Sequence, residues 1–288
     1  MEIPGLFHYH FMQNAFIAGT IIAILAGMVG YFMVLRNQSF AGHALANIGF
    51  AGATGAALFG VAPLLGLFLS GILGALGIQW LGAGLQQSRR SDIATGAVFT
   101  ASLALGFLFV HFSTAQSNNI YNVLFGNALG ISDADVKITW LSGLPVLALL
   151  MLAARPLLFA SVDPVVAAAR GVPVGGLGLG FLIVLALVVA VSIQVVGALL
   201  IFALLVTPAA TARRLSTHPP VAAGLAVLLA VICTWLGLIA GYYTLYPVSF
   251  FITTFSFGFY VLVRLGFSLR GQKGILVTLW SDRAGRRH

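Results

Sequence analysis

His43 and Asn47 stand four residues apart inside an otherwise small and apolar run at 41–60. On a helix, positions i and i+4 share a face. An imidazole nitrogen and an amide oxygen on one face can hold a divalent cation, or can bond to a neighbouring helix. Both groups are costly in lipid, so either use places them in a bundle interior or on a wet cavity. The rest of the run is built for close approach: Gly52, Ala56 and Gly60 recur every fourth residue, the small-xxx-small spacing of packed membrane helices. Other ligand-type residues carry less. His111 falls near the end of an apolar run, at interfacial depth, and His8 and His10 form a lone His-x-His. Ser192, Thr207 and Thr211 read as hydroxyls bonding back to their own helix, and Pro208 as a kink. The single cysteine, Cys233, can form no internal disulfide and belongs to no Cys-x-x-Cys pair.

The segment 162–174 suggests recognition of a partner. Asp163 suits a helix N-cap and Pro164 the first helical position. Ala167 to Ala169 favour helix, and Gly171 can end it. The spacing predicts a short helix on the inner membrane surface between two spans, fit to dock a cytoplasmic protein.

These residues need apolar elements to position them. Of 288 residues, 60% are hydrophobic and 7% charged, and mean hydropathy is +1.06. Soluble domains carry about 25% charge, so the composition excludes a soluble enzyme, a disordered chain and a nucleic-acid-binding domain. Thirty-four glycines without low complexity suit close helix packing in a membrane. The fold class is an all-α polytopic membrane protein. A span needs ~20 apolar residues. Such runs are 11–35, 41–60, 61–85, 93–112, 136–159 (broken late by Arg155-Pro156), 221–243 and 248–267. The stretch 174–215 would be ~63 Å long as one helix, about twice the hydrocarbon thickness. It reads as two spans hinged near Gln194 and Gly197. Residues 1–10 lack the basic start of a cleavable signal, so the first run is expected to stay in the membrane.

The charges test this layout. The chain has 14 Lys+Arg. With nine spans and the C-terminus inside, every one except Lys137 falls on the inner side, as the positive-inside rule requires. Joining 174–215 into one span would put Arg213, Arg214 and the basic tail at 268–288 on the wrong side. If 41–60 is re-entrant, eight spans remain and only Arg36 changes sides. No acidic residue lies at a span centre, which counts against proton coupling. Asp92 reads as a helix cap, Asp133 and Asp135 as outer-loop residues, and Asp163 as inner. On the residues alone, an ATP-independent secondary carrier or channel for a metal or small solute fits as well.

The chain resembles the membrane permease subunit of ATP-binding-cassette importers for divalent metals, the zinc/manganese/iron branch. The resemblance covers about 11–267. It rests most specifically on Val196-Gly-Ala-Leu-Leu-Ile-Phe-Ala-Leu-Leu-Val-Thr-Pro-Ala-Ala-Thr-Ala-Arg-Arg214. Supporting pieces are Val34-Leu-Arg-Asn-Gln-Ser-Phe-Ala-Gly42, Asp92-Ile-Ala-Thr-Gly96 and Leu124-Phe-Gly-Asn-Ala-Leu129. It implies a single permease domain over 1–288 with a type II ABC importer-like fold, in a bacterial cytoplasmic membrane with the C-terminus cytoplasmic. It implies a homodimer around one pathway, two cytoplasmic ATPase subunits and an extracytoplasmic metal-binding protein. The transported metal would be the cargo, with no cofactor bound by the chain itself. Asp163, Ala167, Arg170 and Gly171 match the family's ATPase-coupling segment. There is no Walker-type Gly-rich Lys-Ser/Thr motif, so ATP hydrolysis would belong to the partner. Where the family commonly has Asp and then His, this chain has His43 and Asn47. The implied metal site is then an imidazole plus an amide without a carboxylate. Imidazole suits zinc and iron, whereas carboxylate favours manganese.

Overall fold

The computed structural model describes residues 9–82, 90–112, 126, 130–244 and 246–284. Among them are ten helices and no strand. They are α1 His10–Leu35, α2 Ser39–Leu58, α3 Pro63–Gly82, α4 Arg90–Phe112 and α5 Asp133–Val162, then α6 Pro164–Ala169, α7 Val174–Val196, α8 Ala198–Leu215, α9 Pro219–Tyr243 and α10 Val248–Ala284. Nine of them have 18 residues or more, one for each apolar run; α6 has six. Seven are long and apolar enough to cross a membrane by length and composition. The long helices outside that count are α2, diluted by His43, Asn47 and glycine, and α8, of 18 residues. As an unbroken helix of 20 residues, α2 is about 30 Å long, matching the hydrocarbon thickness.

Helix α7 is the centre of the bundle, with 72% of its apolar window buried, and α1 follows with 67%. Glycines set the contacts. A β-carbon on Gly27 would lie 2.6 Å from the Val227 Cα, so α1 meets α9 backbone to backbone. Gly30 abuts the Leu205 carbonyl of α8, and Gly52 of α2 abuts Gly66 of α3. Ala56 joins that contact, so two of the three small-xxx-small positions pack on α3. Gly60 instead lies within the link after α2, at φ +68. The pairings Gly52–Gly66 and Ile48–Gly74 run α2 and α3 antiparallel. Thr54–Gly106 and His43–Phe99 run α2 and α4 parallel. Val34 with Arg213, and Arg36 with Ser161, bring the last turns of α1, α8 and α5 to one end. Arg36, Asp163, Arg170, Arg213 and Arg214 thus gather at one end of the bundle, and His10, Asp133 and Tyr242 at the other.

Several boundaries differ from the sequence reading. The Arg155-Pro156 pair does not break α5, which runs to Val162 through both Pro145 and Pro156. Neighbouring helices in a bundle tolerate the missing N–H. Asp133 and Asp135 are not loop residues: they form the first turn of α5, closed by a Ser132–Asp135 capping box. Asp92 is not a cap; it lies in the first turn of α4, where a carboxylate still suits the helix dipole. Pro208 sits inside continuous α8, and only Gly197 (φ 83) separates α7 from α8, with Gln194 still helical. The backbone of α10 continues through the basic tail to Ala284. Ser192 and Thr211 bond back to the Val188 and Thr207 carbonyls as read.

Candidate functional site

His43 and Asn47 share one face of α2. The Asn47 amide nitrogen donates to the His43 carbonyl at 2.9 Å and stands 3.5 Å from His43 Nε2. They lie four and eight residues into the helix, about 6 and 12 Å along its axis from the arginine-rich end. Both are half-buried, while Ala44 and Ala46 between them are fully buried. The imidazole is flanked by Phe202 of α8, edge-on at 4.9 Å between centroids, and by Phe99 of α4 at 6.0 Å. These rings fix its orientation and keep water from two sides. Neither phenylalanine is distinctive in the sequence, since only tertiary packing brings it to His43.

One copy of the chain therefore brings an imidazole and a single amide together here, with the amide nitrogen turned toward the ring. Among the described residues, no cluster of three or more His, Cys, Asp or Glu is placed to hold a metal ion.

The second site residues build α6. Asp163 Oδ1 accepts the Val165 and Val166 N–H groups at 3.1 and 2.9 Å, with Pro164 at the first helical position. At the other end Gly171 takes φ +80, and the Gly171 and Val172 N–H groups bond the Ala168 and Ala167 carbonyls at 3.0 Å. That is a Schellman closure. Ala167 is fully buried against the bundle, while Val165 is 76% exposed. Arg170 is exposed too. The short helix is thus anchored by one alanine and offers valines and an arginine outward.

The remaining candidates disperse. His111 is exposed, with its ring against Phe112. His8 lies outside the described residues. His10 makes an unforeseen contact at the opposite end, its Nδ1 3.4 Å from Asp133, whose carboxylate also accepts the Asn14 amide at 2.7 Å. The sequence held one signal for this, the acidic first turn of α5.

The ABC 3 transport family model matches residues 8–266. The chain is 32% identical over 289 residues to the manganese transport system membrane protein MntC of Halalkalibacterium halodurans, covering 98% of this chain and 94% of that one. It is 35% identical over 240 residues to the manganese import system permease protein ScaB of Streptococcus parasanguinis, covering 83% and 85%. Among solved structures it superposes on PsaBC from Streptococcus pneumoniae in complex with Fab with a TM-score of 0.80. Identity there is 31%, and the match covers 91% of this chain and 93% of that one.

Proposed function

Because the chain belongs to the ABC 3 transport family, we propose that it is the membrane-spanning subunit of an ATP-driven importer for a divalent transition metal, with manganese the cargo that its relatives' names suggest. The observation that carries this is the half-buried His43–Asn47 pair on a helix too polar to be a lipid-facing span. Two copies about a two-fold axis would bring two imidazoles and two amide oxygens to one pathway. The α6 surface docks a cytoplasmic ATPase subunit, whose hydrolysis drives alternation between outward- and inward-open states. An extracytoplasmic metal-binding protein loads the end that carries His10 and Asp133. The arginine-rich end and the C-terminus face the cytoplasm of a bacterial cell, in keeping with the positive-inside rule.

A carboxylate-free pathway changes selectivity. Nitrogen ligands suit zinc and iron better than manganese, so zinc competes with manganese here more strongly than in a pathway lined by aspartate. The test is reconstitution with the ATPase and binding protein, followed by uptake of manganese, zinc and iron side by side. His43→Ala is expected to lower uptake at least tenfold in an intact complex. Unchanged uptake removes His43 from the pathway. Gradient-driven flux through this chain alone, without the ATPase, overturns the ATP-driven reading.

A further inference from the structure

The link between α1 and α2 is gripped from two sides. After Leu35 the chain turns through Arg36, Asn37 and Gln38 before α2 begins. Asn37 takes φ 56, the one non-glycine residue in the left-handed region among those described. Asparagine tolerates that conformation better than most side chains. The Gln38 N–H reaches the Met33 carbonyl at 2.9 Å and the Asn37 N–H the Val34 carbonyl at 3.2 Å, a Schellman closure that makes the link a stiff elbow. Any displacement of Arg36 is therefore passed into the first turns of α2, where His43 lies.

Arg36 holds that elbow against the stems of α6. Its Nη1 donates to Ser161 Oγ at 3.2 Å, in the last turn of α5, and its Nε to Gln38 at 3.3 Å. The guanidinium also lies over the Phe181 ring at 5.6 Å, in the second turn of α7. α5 and α7 are the two helices that α6 joins. On the far side, Arg213 at the end of α8 donates to the Val34 carbonyl at 2.9 Å. That same helix carries Phe202, which packs on His43. Half-burial costs Arg36 solvation and pulls its pKa below the ordinary guanidinium value. Surface arginines that merely solvate a helix end carry no such cost.

We propose that Arg36 is the positioning residue that transmits movement of the α6 stems to the α1–α2 elbow, and so to the His43–Asn47 pair. This rests on the reading of α6 as the ATPase-docking element. The planar guanidinium engages Ser161, Gln38 and Phe181 together, which a lysine ammonium cannot reproduce.

The test uses the reconstituted complex of this chain with its ATPase and binding protein, reading metal uptake and ATP hydrolysis in the same vesicles. Arg36→Gln and Arg36→Lys are expected to leave hydrolysis within about twofold of the parent while uptake per ATP falls tenfold or more. Ser161→Ala and Phe181→Leu each remove one grip and are expected to uncouple several-fold; the thermal midpoint should hold for Ser161→Ala and fall for Phe181→Leu, whose ring is buried in the core. A proportional fall in both rates, or an unchanged ratio across these variants, overturns the proposal. Val165→Asp, assayed by capture of the ATPase, tests the docking surface separately. Retained capture would refute the reading of α6, whatever the Arg36 variants do.

Discussion

Gly27→Ala probes the close backbone approach between α1 and α9. The added methyl would sit 2.6 Å from the Val227 Cα, 2.8 Å from its nitrogen and 2.9 Å from the Ala226 carbonyl. Ordinary carbon contacts begin at about 3.5 Å, so the two helices must separate by close to 1 Å. All three obstructing atoms are backbone, and none can rotate aside. Overpacking of this kind costs about 1–3 kcal/mol. At 2–4 °C per kcal/mol for a domain of comparable size, the thermal midpoint should fall by roughly 2–12 °C. The chain supplies its own reporter: Cys233, its one cysteine, is 1% exposed on α9. A thiol-reactive fluorophore in detergent solution therefore reads unfolding directly. Gly224→Ala, on the same helix with open space around it, is the control and should not lower the midpoint. Equal midpoints for Gly27→Ala and the parent chain, or an equal fall in the control, would refute the argument from backbone contact.

Two other outcomes are expected. Asp163→Ala removes the acceptor for two N–H groups of α6 and should cost that helix about 0.5–2 kcal/mol; metal uptake per ATP should fall in the reconstituted complex, with Asp163→Asn retaining most of it. Restoring a carboxylate and an imidazole through His43→Asp with Asn47→His should shift the ratio of manganese to zinc uptake toward manganese, as measured by competition between the two ions.

The spans were legible because transfer of long apolar runs from water to lipid leaves a strong mark on composition. The hinge near Gly197 was legible from the length of 174–215 and the placement of the basic residues, and α6 from Asp163, Pro164 and Gly171, which act within a few residues of one another. Hydropathy was less informative for α2, whose His43 and Asn47 are half-buried in the bundle. His43 and Asn47 were found by spacing, since i, i+4 is a local relation. Their surroundings were not, because Phe99 and Phe202 reach them across the fold. Arg36 illustrates the same limit: in sequence it ends a span, and only the approach of α5 and α7 gives it partners. The capping box at Ser132 was readable as Ser-x-x-Asp, but the acidic pair beside Lys137 gave the segment the look of a loop.

The polar make-up of α2 also bears on how the protein is made. During synthesis α2 reaches the membrane before α3, and with His43 and Asn47 it gains little from partitioning into lipid alone. α3 follows after the short link 59–62 and lies antiparallel along α2, with Gly66 seated on Gly52. That packing predicts that the two helices enter the bilayer as one hairpin, the more apolar α3 drawing in its predecessor. A defect in α3 is then expected to leave α2 poorly inserted during biogenesis, although α3 itself carries neither His43 nor Asn47.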